Sequence, residues 1–362
     1  MLAGKRNLLL LNGKEWKYYQ SSLKSALHNQ IRTDPTLLQR ITVQTTRTLV
    51  KNIQAMIGKS TSDEAKQIYC PAIDGYMKMI TQDVFGLAAF SHSFECCNNL
   101  QLSRFAKAFE SIEHDILDRC LRNTLLPQNL IYSIPTKRNM MLLNNRRYIR
   151  TFVKDIIHDR LSKQHDGNDT DKTTSKCDIL DKLIETHVTK QRQFQQGDQN
   201  NEEDLIDIVL SILLAGYDTV TIALTYAVFL VSRHPHWEVR CLEEIRRRNM
   251  DFDDVHNLPD KVEFPLCRAI ILETLRLTTQ TECEEDYCSI PVGDLQSFLA
   301  FSSGARSCPG RSFAIEEASL ALAVMMDGLK FDIDSSYQPE MEWKVIVQKP
   351  KGGVPANVGL RP

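Results

Sequence analysis

The stretch Phe301-Ser302-Ser303-Gly304-Ala305-Arg306-Ser307-Cys308-Pro309-Gly310, followed by the apolar run 313–326, decides how this 362-residue sequence folds. Its serines, glycines and proline make a loop, and the run behind it has helical spacing, so the loop hands Cys308 to a helix start. Unpaired backbone N–H groups and the positive end of the peptide dipole favour a thiolate there, the form a metal ligand needs. Glycines at 304 and 310 let the backbone turn and come close to a flat ligand. The bland alternative is a buried structural cysteine, the usual fate of this residue type. Against it, Phe, Gly, Arg, Cys and Gly at these fixed spacings arise by chance on the order of once in ten thousand chains of this length.

Upstream of the loop the sequence reads as a succession of helices. Trp16, Tyr19, Leu23, Leu27 and Ile31 repeat at helical spacing up to Asp34-Pro35, where proline cannot continue the pattern. Leu38, Ile41, Thr45, Leu49 and Ile53 form a second stripe. Ile73, Met77, Ile80, Val84 and Leu87 form a third, and Phe105, Phe109, Ile112 and Ile116 a fourth. Core packing accounts for all four. Two polar stretches, 162–178 and 190–204, cannot bury themselves and predict exposed loops around a short helix at 179–188. A long apolar helix then runs to Arg233, where His234-Pro235 stops it, and further helices are expected at 235–249 and 265–277. Near the end Met341, Trp343, Val345 and Val347 alternate with Glu342, Lys344 and Gln348, the period of a half-buried strand in a small C-terminal sheet. With no internal repeat or low-complexity linker, the expectation is one domain over residues 1–362, mostly α with a minor β-sheet.

Composition narrows the partners. Hydrophobic residues at 42% can fill a substantial core. Lysine plus arginine (44) nearly balance aspartate plus glutamate (46), so nothing attracts the chain to nucleic acid or to an anionic membrane at long range. Nucleic acid is not an expected partner. Ten cysteines without a CxxC pair or a regular framework fit a reducing environment. Residues 1–12 carry two cations and a four-leucine run too short for a signal peptide or an anchor. The stretch 208–232 is long enough to span a bilayer, but Asp218 at its middle would cost about 2.5–3.5 kcal/mol there. A buried core helix is the expected state.

The segment around Cys308 resembles the cysteine loop of the cytochrome P450 family, Phe-x-x-Gly-x-Arg-x-Cys-x-Gly. Glu273-Thr274-Leu275-Arg276 is similar to the family's Glu-x-x-Arg pair, whose i,i+3 spacing puts both side chains on one helix face. Such pairs are also common on solvated helices. Ala215-Gly216-Tyr217-Asp218-Thr219 resembles the family's oxygen-activation segment; an ordinary packing notch, with Thr219 bonding back to a carbonyl, is the alternative. The resemblance implies haem b with Cys308 as the iron ligand. It places Trp16, Phe301, Gly304, Arg306 and Gly310 around the cofactor, with Arg306 on a propionate. Asp218 and Thr219 would relay protons to bound oxygen, and Glu273 and Arg276 would form a buried structural ion pair. The implied reaction inserts one oxygen atom from O2 into an apolar small molecule, with electrons from a flavoprotein reductase. The look is of the eukaryotic membrane-bound branch, which implies the cytosolic face of the endoplasmic reticulum.

The sequence departs from the family pattern in four places. It starts near the helix of Trp16, without the anchor and first sheet that precede it in the family. Gln20 stands where an arginine usually grips a propionate. The interval between Arg276 and Cys308 is several dozen residues short, with the strand-and-turn segment 287–294 running straight into Leu295. That missing stretch would hold the arginine that locks Glu273 and Arg276. The departures leave open a non-catalytic remnant or splice form with weak haem binding, acting at most as a binding module, and an unrelated helical interaction protein.

Overall fold

The computed structural model describes residues 7–8, 10–59, 67–121, 132, 134–165, 178–194, 201–279, 300–344 and 347–361. Proline sets the first boundary: α1 (Gly13–Thr33) and α2 (Pro35–Lys59) meet at Asp34, whose carboxylate accepts bonds from Thr36 Oγ1 at 2.7 Å and Arg40 Nη2 at 3.1 Å. There follow α3 (Asp74–Phe90), the single turn α4 (Cys96–Asn99), α5 (Arg104–Leu121), α6 (Lys137–His165), α7 (Ile179–Phe194) and α8 (Asn201–Arg233). Then come α9 (Pro235–Arg248), α10 (Pro265–Thr279) and α11 (Arg311–Gly328). The strands are β1 (Gln67–Cys70), β2 (Leu329–Asp332), β3 (Met341–Lys344), β4 (Val347–Pro350) and β5 (Ala356–Leu360). The fold is mostly helical with small sheets.

Two expectations are corrected. The polar stretches are partly helical: α6 extends to His165, α7 to Phe194, and α8 starts at Asn201. Lysine, glutamine and glutamate are good helix formers, so polarity alone does not end a helix. The alternating segment near the C-terminus is two strands, β3 and β4, which pair with each other. β5 lies between β1 and β2 in an antiparallel sheet, with Ile68 and Phe331 both opposite Val358. The expected strand and turn at 287–294 lie outside the described residues.

The chain forms two compact units, each assembled from separate segments. The first draws on residues 1–26, 102–215 and 342–347. In it α5 packs along α6, with Phe105 and Phe152 ring centroids 5.2 Å apart and the Arg104 guanidinium 4.1 Å above Tyr148. Ion pairs fasten α6 to its neighbours. Arg150 meets Asp207 at 2.7 Å, Lys154 meets Glu202 at 2.9 Å, and Arg160 meets Asp178 and Asp181 at 2.8 Å.

The second unit draws on residues 27–101, 216–341 and 348–362. There α2 packs along both α3 and α11, and α9 and α10 also rest on α11. A Cβ on Gly328, at the end of α11, would lie 2.4 Å from Val50 Cγ1, so the two helices nearly touch there. The Gly328 carbonyl accepts a bond from Gln54 Nε2 at 3.1 Å, and β2 begins at the next residue. The helix α8 is long and apolar enough to cross a membrane, and 72% of its most apolar window is buried inside the protein. That agrees with a core helix.

Candidate functional site

The cysteine loop is held by its own backbone. Ser302 and Gly304 take the left-handed conformation (φ 57° and 69°), which lets a single 3-10 turn, Gly304–Arg306, reverse the chain. The Cys308 N–H donates to the Phe301 carbonyl at 2.9 Å, Ser307 N–H to Gly304 O at 3.2 Å, and Ala314 N–H to Gly310 O at 2.9 Å. Arg311 places its guanidinium 5.7 Å from the Phe301 ring centre. Cys308 is exposed, whereas Cys70, Cys96, Cys97, Cys241 and Cys267 are buried.

Electrostatics at the sulfur run opposite to the expectation from a helix start. Partial desolvation on the protein side raises the Cys308 pKa, and the Gly310 N–H pulls it down by less. The thiol is therefore the resting form, and a coordinated cation is what would remove its proton. The surroundings fit a flat group bound through that sulfur. A Cβ on Gly304 would meet nothing within 4 Å, and one on Gly310 would meet only the Cys308 Sγ at 3.9 Å. Arg306 lies exposed at the end of the 3-10 turn.

Of the other candidate residues, Asp218 is buried and Thr219 half-buried on α8, in the same unit as Cys308. Thr221 Oγ1 donates back to the Tyr217 carbonyl at 2.9 Å, and Thr225 Oγ1 does the same to Thr221. The place a side chain at Gly216 would take is filled by the ring of Phe85 from α3. Arg276 and Glu273 form a two-pronged pair on α10, Nε to Oε2 at 2.8 Å and Nη2 to Oε1 at 2.6 Å, which holds the Glu273 carboxyl below the usual range. The pair is less buried than expected, with 51% of the Glu273 side chain exposed. Trp16 is half-buried on α1 in the first unit, as is Gln20. Beside them the buried Tyr19 hydroxyl meets His187 Nδ1 at 2.9 Å, an anchor of α1 to α7 that no motif announced.

The sequence matches the family described as Cytochrome P450 over residues 2–284 and 292–355. The chain belongs to the cytochrome P450 family. Among its relatives, human "Cytochrome P450 4Z1" is 21% identical over 96% of this chain and 74% of its own length. "Pentalenene oxygenase" of Streptomyces avermitilis is 24% identical over 72% of this chain and 64% of its own length. The P450 relatives thus come from bacteria as well as eukaryotes, a wider range than the membrane-bound branch that the motifs suggested. A crystal structure of the cytochrome P450 CYP102L1 superposes with a TM-score of 0.68 at 16% identity, covering 99% of this chain and 82% of that one. The P450 fold follows from that match.

Proposed function

We propose that this chain is a haem-thiolate monooxygenase that inserts one oxygen atom from O2 into an apolar small molecule. The carrying observation is the exposed Cys308 thiol at the start of α11, beside glycines whose missing side chains leave the sulfur's surroundings open. When bound, haem b supplies the oxygen and electron chemistry. The chain's own part is to hold it. Cys308 Sγ would ligate the iron, Gly304 and Gly310 would let the backbone lie close, Arg306 would pair with a propionate, and Phe301 would give apolar contact. Asp218 and Thr219 hold and pass protons from α8, and the Glu273–Arg276 pair stiffens α10. Electrons come from a flavoprotein reductase. The working location in this reading is the cytosolic face of the endoplasmic reticulum, and fractionation of cells expressing the chain tests it.

The decisive experiment is the spectrum of the reduced carbon monoxide complex after haem loading. The parent chain gives the red-shifted Soret band of a thiolate ligand, and Cys308→Ser loses it. Survival of that band in the serine variant would assign the ligand to another residue.

A further inference from the structure

Gly216 lies in the α8 segment assigned to proton handling, yet its space is already taken. A Cβ there would stand 2.3 Å from Phe85 Cε2 and Cζ and 2.5 Å from Cε1, closer than any packing allows. The same ring meets Phe313 edge to face, with centroids 5.8 Å apart and planes at 84°. Phe313 stands in the first turn of α11, behind Cys308. One turn earlier on α3, Thr81 Oγ1 and Thr221 Oγ1 are 2.7 Å apart. The helix α3 therefore grips α8 on both sides of Tyr217-Asp218-Thr219, by a ring at Gly216 and a hydroxyl pair at Thr221.

We propose that Phe85 is a positioning residue: wedged between Gly216 and Phe313, it sets the separation of the Asp218–Thr219 segment from the helix that begins behind Cys308. The role rests on the haem-thiolate reading, because it is defined by the site those two elements frame. A phenyl ring suits the task, being rigid beyond two torsions and incompressible at its edge. An alanine lets the helices approach, and a methyl added at 216 forces them apart.

The test uses the full chain and four proteins: parent, Phe85→Ala, Gly216→Ala and the double variant. Two quantities are read. Denaturant unfolding without haem reports whether the wedge exists: the two substitutions are expected to be coupled at least about fivefold in the unfolding constant, since Phe85→Ala vacates the room the new methyl needs. After haem loading, the ratio of hydrogen peroxide released to product formed, with the Soret position of the carbon monoxide complex, reports whether the spacing matters. Phe85→Ala and Gly216→Ala each raise that ratio several-fold, and the double variant moves back toward the parent. Coupling in stability with an unchanged peroxide ratio and band makes Phe85 ordinary packing and overturns the proposal, as does the absence of coupling. The parent's own carbon monoxide spectrum separates the two readings. A parent without the thiolate band sinks the haem assignment and the positioning role together, whereas a normal band with indifferent Phe85 variants sinks only the latter.

Discussion

The loop at 301–310 and the helices behind it use the same residue types for opposite ends. At Gly304 and Gly310 an added Cβ meets open space or the cysteine sulfur, while at Gly216 it would collide with the Phe85 ring. Titratable groups divide in the same way. Cys308 is exposed in the loop, whereas Glu317, on α11 behind it, is fully buried with no hydrogen-bond partner for either carboxylate oxygen among the described residues. A glycine or an acid within a motif thus says little until its neighbours are known. In the loop such residues leave room for a ligand, and in the bundle they admit a neighbour or store an unmet electrostatic cost.

Substitutions should therefore change binding in the loop and stability in the bundle. The largest effect is expected at Cys308. Serine there abolishes the thiolate band, yet at this exposed position costs no more than about 0.5 kcal/mol of stability. Thermal melts of the haem-free chains measure the second half, and a large loss would mean the loop braces the fold.

Glu317→Gln is next. Burial pushes the Glu317 carboxyl well above its ordinary 4.5, so the folded chain keeps a proton that the unfolded chain releases. Stability then falls as pH rises above 4.5, by up to about 1.4 kcal/mol per unit, until the folded group ionises too. Glutamine cannot ionise, so denaturant curves of variant and parent should diverge with rising pH in the variant's favour. Parallel curves would erase the contrast with the loop.

Gly304→Ala should cost about 1 kcal/mol, because only the left-handed backbone penalises it and no atom obstructs the methyl. Urea titration measures this, and a cost of several kcal/mol would show the loop is packed after all. The smallest change is expected for Glu273→Gln, below about 1 kcal/mol, since the pair with Arg276 is half in water. Arg276 lowers the Glu273 pKa, so that contribution is present at neutral pH and disappears on acidification through the lowered value. Melts at neutral and acid pH compare the two.

Much of this architecture was legible where local chemistry dictates it. Pro35 and Pro235 end helices whatever surrounds them, and the buried positions Leu38, Leu49, Ile53, Met77, Ile80 and Val84 fall on the expected stripes. What depends on distant partners was not. β1 is four residues, too short to alternate convincingly, and exists because β5 pairs with it from the other end of the chain. Phe85 lies outside the stripe of Ile73, Met77, Ile80, Val84 and Leu87, and nothing near it in the sequence foretells Gly216 or Phe313. Cys308 could be placed at a helix start, but the desolvation that raises its pKa depends on how the loop folds around the sulfur.

The far end of α11 adds a mechanical consequence. Gly328 lies against Val50, its carbonyl is tied to Gln54, and β2 follows without a linker, so this end is fixed. The other end carries an exposed loop. The first turn of the helix is gripped as well, where Phe313 meets the Phe85 ring, so the freedom lies in the loop ahead of Arg311 and not in the rod. Amide hydrogen exchange would be slow along α11 from Ile315 to Met326 and fast in the exposed loop at 302–306, which gives the sulfur play to settle on its ligand while helix and sheet stay still.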